Sequence, residues 1–173
     1  MTFGSVLLMA AFILGISGCK KDNTSNSAQT KAEMLQGKWE IVTFTLSGID
    51  QLHMEENGTY DCDNGETIPY TITYAMDPYY WNFSSNQNWS SQYHIFEHNF
   101  DMNASNVNCV ATYVDFETDG GESGTWSFNY NESQIKLMVN EVQGKWNIES
   151  LTPTNMHLIL DGGTSQHMYL EKR

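Results

Sequence analysis

The chain has 173 residues, with 21 Asp and Glu against 8 Lys and Arg, a net charge of -13, and 40% hydrophobic residues. This length and composition predict one domain that can bury a core without a metal, and exclude wholesale disorder. The acidity excludes a nucleic-acid partner or an anionic-membrane surface, because phosphate contact needs clustered Lys and Arg.

Residues Met1 to Cys19 carry no charge. Within them Val6 to Ile16 is an unbroken apolar run, too short to span a bilayer of about 30 Å as a helix but of the length of a signal-peptide core. Ile16-Ser17-Gly18-Cys19 resembles the bacterial lipobox, an aliphatic residue and two small ones before the cysteine that is acylated and becomes the new N-terminus. No Lys or Arg precedes the apolar run, which points to a start codon a few positions upstream. The expected domains are therefore 1–18 as a lipoprotein signal peptide, 19–33 as a flexible tether and 34–173 as the folded domain. The tether would reach roughly 20 Å, and acylated Cys19 would make the lipid bilayer a partner. Lys20-Lys21-Asp22 partly resembles the surface-export signal of Bacteroidetes lipoproteins, so outer-membrane anchoring on the periplasmic or cell-surface side is expected.

Gly37 and Trp39 open the domain, and the Gly-x-Trp pattern recurs at Gly124/Trp126 and Gly144/Trp146. It reads as strand-entry chemistry: glycine turns the chain in and tryptophan plugs one end of a barrel. Between 48 and 91 the pattern is less regular, and Ile68 to Ala75 is the best strand there. Asp61 to Glu66 misses the spacing of a calcium loop, because Gly65 falls on the third ligand position. Its Cys62 is better read as pinning a turn. In an exported chain Cys62 and Cys109 favour a disulfide over two separate buried thiols, contributing about 4 kcal/mol. Zinc would need more ligands than this pair offers.

Tyr79 to Tyr93 mixes Tyr79, Tyr80, Trp81, Phe83, Trp89 and Tyr93 with Ser, Asn and Gln and no charge. This composition suits glycan or peptide recognition, and equally a loop folded over a barrel mouth as its lid. His94-Ile95-Phe96-Glu97-His98 has the H-x-x-E-H string of zinc peptidases, which requires a helix. The surrounding alternation marks a strand, where the two histidines stand about 13 Å apart and share no ion. Asp115, Glu117, Asp119 and Glu122 read as a solvated acidic hairpin, with a loose calcium site as the alternative. No nucleophile elbow or phosphate loop is present, so the sequence carries no support for an enzyme or a cofactor.

From Gln92 onward alternation persists, with Trp126/Phe128/Tyr130, Ile135/Leu137/Val139, Met156/Leu158/Leu160 and Met168/Leu170 on inward faces. Tight turn signals separate these runs. The fold class is all-β, an antiparallel meander of about eight strands closed into a barrel that hides its edges. Helix is expected only as a short stretch.

Leu35-Gln36-Gly37-Lys38-Trp39-Glu40-Ile41 resembles the opening of the lipocalin-like domain of Bacteroidetes lipoproteins. The likeness continues through Ser123-Gly124-Thr125-Trp126, Ile135-Lys136-Leu137, Trp146 to Leu151 and Met156 to Leu160, and ends at Tyr169 to Arg173. It implies a small lipocalin-like barrel with a small apolar ligand inside, lined by Phe96, Trp126 and Phe128 under a segment carrying Trp81 and Trp89. The alternatives are a surface module that recognises glycan or protein through residues 79–93, and a structural envelope lipoprotein.

Overall fold

Alternating side chains become antiparallel pairing along most of the chain. The computed structural model describes residues 28–162 and 165–173, so the apolar run and Cys19 lie outside the described residues. A short helix α1 (Lys31–Leu35) precedes β1 (Gly37–Leu46), β2 (Ile49–Asp50), β3 (His53–Asp61), β4 (Thr67–Phe83) and β5 (Asn88–Phe100). Helix α2 (Met102–Asn108) follows, then β6 (Tyr113–Gly120), β7 (Ser123–Phe128), β8 (Gln134–Val139), β9 (Val142–Leu151), β10 (Asn155–Leu160) and β11 (Gln166–Lys172). Eight of these strands close a barrel in the order β1-β11-β10-β9-β8-β7-β5-β4, and pairing of Gly37–Glu40 with Tyr80–Phe83 returns β4 to β1. The barrel expected from the alternation is present, and β8, β10 and β11 lie where the alternation predicts them; β7 ends at Phe128, so Tyr130, expected on its inward face, lies instead in the following turn, exposed.

Three strands lie outside the ring. β4 and β5 are long enough to run past the barrel wall, and there β3 joins β4 while β6 joins β5. The result is a four-stranded apron, β3-β4-β5-β6, rising from one side of the barrel; β2 is a two-residue pairing on β1. The apron tip is tied by a disulfide between Cys62, in the β3–β4 turn, and Cys109, the C-cap of α2. This is the expected pairing, and Cys62 does pin a turn, since its N–H and carbonyl bond Glu66 and Gly65.

Helix α1 closes one end of the barrel. Thr30 and Glu33 form a reciprocal capping box, so α1 begins inside the stretch expected as tether. Leu35 and Trp39 are fully buried, and the Trp39 indole N–H donates to the Leu35 carbonyl at 2.6 Å. Lys172 donates to the Met34 carbonyl and Lys31 to that of Glu132, locking α1 across the barrel bottom. Phe83, Ile135, Met156, Leu158 and Leu170 pack above it as a solid core. Arg173 bonds the Lys38 carbonyl, so the C-terminus and α1 both sit at this closed end.

Candidate functional site: the open end of the barrel

The core does not reach the other end. A cavity of about 520 Å³ opens there, among the β8–β9 turn, the β6–β7 turn and the root of the apron. Its wall is built from inward residues of six strands. Phe44 comes from β1, Tyr79 and Trp81 from β4, Trp89 from β5, Leu137 and Val139 from β8, Trp146 from β9 and Met168 from β11. Asn140, Val142 and Glu122 stand around it in the turns and the start of β9.

The register explains why these side chains converge. Across β4 and β5, Tyr79 faces Tyr93, Trp81 faces Ser91 and Phe83 faces Trp89, so one parity points inward on both strands. Directly above, Asp77 and Pro78 oppose the single residue His94, a bulge that reverses the inward parity of β4. Pro78 suits the position because it has no N–H to offer a ladder. Below the bulge β4 sends in odd-numbered residues; above it, the even-numbered Met76 and Tyr74 share a side with Ile95 and Glu97.

Segment 79–93 is therefore barrel wall, and the expectation of a lid is corrected. It forms the β4–β5 hairpin at the closed end, with Trp81, Phe83 and Trp89 buried in the interior. An external recognition surface built on these rings loses them for the same reason. Tyr80 alone of the central rings points out, under the Lys38 ammonium at 3.5 Å.

The five residues expected to line a ligand separate into three places. Trp81 and Trp89 line the cavity. Trp126 belongs to the core near the closed end, where its N–H donates to the Ser84 carbonyl at 3.1 Å and it packs edge-to-face on Phe83 and Phe128. Phe128 is part of that same packing. Phe96 pairs with Ala75 and Glu117 on the apron, on the outward parity of β5, away from the cavity. Sequence reasoning missed Phe44, Tyr79, Trp146 and Met168 as lining residues. The alternation of Trp146 with its neighbours could have indicated the first strand to add.

The tryptophans differ in how their N–H groups are satisfied. Trp39 and Trp126 donate to backbone carbonyls, whereas the buried Trp81 and Trp89 indoles have no hydrogen-bond partner. Trp81 is stacked edge-to-face between Trp89, at 5.5 Å, and Trp146, at 5.6 Å. Its indole stands beside the Tyr79 oxygen, near enough to influence it, without reaching hydrogen-bond geometry. Burial pushes the Tyr79 hydroxyl above its ordinary range; Trp81 opposes this and the Glu122 carboxylate adds to it.

The remaining polar candidates lie elsewhere. His94 and His98 are both on β5, as the alternation predicted, and each bonds a carboxylate across the strand pair, Asp119 at 2.9 Å and Asp115 at 2.6 Å. The acidic stretch 115–122 is thus half engaged by histidines. Among the described residues, no three His, Cys, Asp or Glu side chains gather around a common point. A second hollow of about 410 Å³ lies between β2 and the apron strands β3 and β4, bordered by Asp50, Glu55 and Glu56 beside Ile72 and Tyr74. It has mixed, largely exposed walls, whereas buried rings floor the barrel cavity.

No family model matches the chain, and no curated protein matches it. Among solved structures it is similar to a lipocalin-like protein from Bacteroides uniformis, with 11% identity, a TM-score of 0.41, and coverage of 81% of this chain and 99% of that one.

Proposed function

We propose that this protein is a membrane-anchored lipoprotein whose barrel holds a small apolar molecule at its open end. The observation that carries the reading is the cavity itself: about 520 Å³, floored by Trp81, Trp89 and Trp146, in a barrel whose other half is solidly packed. Pockets of this size with aromatic walls and a few polar groups are the usual form of a small-molecule site. A barrel needing only stability would be filled at both ends, because an unfilled apolar volume costs stability. The acylated Cys19 is the anchor, and the outer membrane, on its periplasmic or outer face, is the location.

Thermal unfolding of the full chain tests the ligand reading. Hydrophobic small molecules at a hundredfold excess over Kd should raise Tm by roughly 5–10 °C. Polysaccharides should leave it unchanged. Trp81→Ala and Trp89→Ala should abolish the rise. Stabilisation by polysaccharide alone would reject an interior ligand in favour of surface recognition.

A further inference from the structure

The mouth of the cavity has a charge pattern that narrows what can enter. Among the described residues that line it, Glu122 is the only charged one, with no Lys or Arg. The asymmetry extends well beyond the lining: between Lys38 and Lys136 the sequence contains no Lys or Arg at all. That stretch supplies the whole apron and the β6–β7 turn, so one side of the mouth is built from acidic and neutral residues. Lys31, Lys38, Lys172 and Arg173 are gathered at the closed end, while Lys136 and Lys145 face each other on β8 and β9, on the parity opposite to the cavity-lining Leu137 and Trp146.

Glu122 is held in place by its backbone. Ser91, one of two buried polar residues, donates its N–H to the Glu122 carbonyl at 2.8 Å, and its hydroxyl accepts the Glu122 N–H at 2.9 Å. Gly121 allows this approach, since a Cβ there would lie 2.3 Å from the Ser91 carbonyl oxygen. The turn is thereby clamped to the wall at Ser91, across from Trp81, and the Glu122 carboxylate helps raise the Tyr79 hydroxyl above its ordinary range. The ring systems of Trp81, Trp89 and Trp146 line the cavity beside it.

From this arrangement we infer that the barrel selects an apolar molecule bearing an amine, its ammonium at the mouth beside Glu122 and its body against the tryptophans. A carboxylate on a wall of electron-rich rings attracts an organic cation twice, by ion pairing and by the ring quadrupoles. A carboxylate ligand meets the reverse. It finds no countercharge in the lining, Glu122 repels it, and the acidic surface lowers its local concentration. The inference rests on the interior-ligand reading and specifies its chemistry.

Three probes with one tail separate the two: octylammonium, octan-1-ol and octanoate, titrated into the full chain at neutral pH and followed by tryptophan fluorescence. Octylammonium should bind about tenfold more tightly than octanol, with octanoate weakest. Added salt should shrink the gap between the charged probes. Glu122→Gln should reduce the ratio of octylammonium to octanol affinity, with its melting temperature as the control for folding. Equal affinity for octylammonium and octanol, or octanoate binding tightest, would overturn the cation inference and leave the apolar site standing. If none of the three binds, while larger apolar molecules still stabilise the chain, the cation inference fails alone. If no apolar molecule binds, both fail.

Discussion

Three glycines that look alike in the sequence do three different things in the barrel. Gly37 has φ +117°, a conformation that L side chains rarely adopt, and turns the chain from α1 into β1. Gly124 has ordinary backbone angles but lies against β8, where an added Cβ would meet the Met138 carbonyl oxygen at 1.9 Å. At Gly144 the nearest atom to such a Cβ is the Trp146 indole nitrogen, at 3.8 Å. The recurring Gly-x-Trp pattern was legible, but the reason for each glycine was not, because close approach depends on a strand more than ten residues away. Gly124→Ala should therefore destabilise the domain by about 1–3 kcal/mol, while Gly144→Ala should stay within about 0.5 kcal/mol. Urea midpoints would distinguish them, and equal effects would refute the assignment. The tryptophans two residues on also diverge: Trp39 is locked by a hydrogen bond at the closed end, and Trp146 is left to face the cavity.

At the scale of the element, β4 and β5 serve two structures at once. Their lower halves are barrel wall carrying Tyr79, Trp81 and Trp89, and their upper halves are the centre of the apron. The sequence hid this. The two-for-one bulge at Asp77-Pro78 breaks the period of two, and β3 buries so little that its alternation carries no apolar signal. Strands with one clean inward face, such as β8 and β10, were readable because nothing interrupts their parity. The seven-residue α2 was not foreseen either. It is fixed by its Asp101 cap, by the buried Ser105, which exchanges hydrogen bonds with Thr112, and by Cys109.

The disulfide closes a separation of 47 residues and ties the two corners of the apron. Replacing both cysteines by serine should cost about 4 kcal/mol of stability in the chain-entropy model. The loss should be local in character, because the bond touches only the apron. Amide exchange should accelerate in β3, α2 and β6 with little change in β8 to β10. Uniform acceleration through the barrel would show instead that apron and barrel unfold as one unit.

On the scale of the whole molecule, the cavity and the anchor concern opposite ends of the chain's organisation. The proposed ligand site needs only the folded domain, whereas the proposed residence on a membrane rests on Cys19. Cys19→Ala should move the protein from the membrane to the soluble fraction while leaving its response to apolar ligands intact. Fractionation and thermal shift on the same preparation would check both halves, and an unchanged membrane fraction would refute lipidation. Where the barrel closes was readable from alternation and turn signals. Where it stays hollow was not, because a cavity is set by which inward residues fail to meet across the ring, and alternation reports only that they point inward.

Helix α1 and Arg173 leave the barrel at the same end, the one that is plugged. Under the proposed anchoring, a tether joined at residue 28 attaches at the plugged base, on the far side of the barrel from the mouth. On that reading the proposed ligand enters from water, not sideways out of a bilayer. A charged head on a short apolar body has the solubility for that crossing, and a long neutral lipid does not. The same geometry offers a practical convenience: a dye or a fused domain placed after Arg173 leaves the doorway unobstructed.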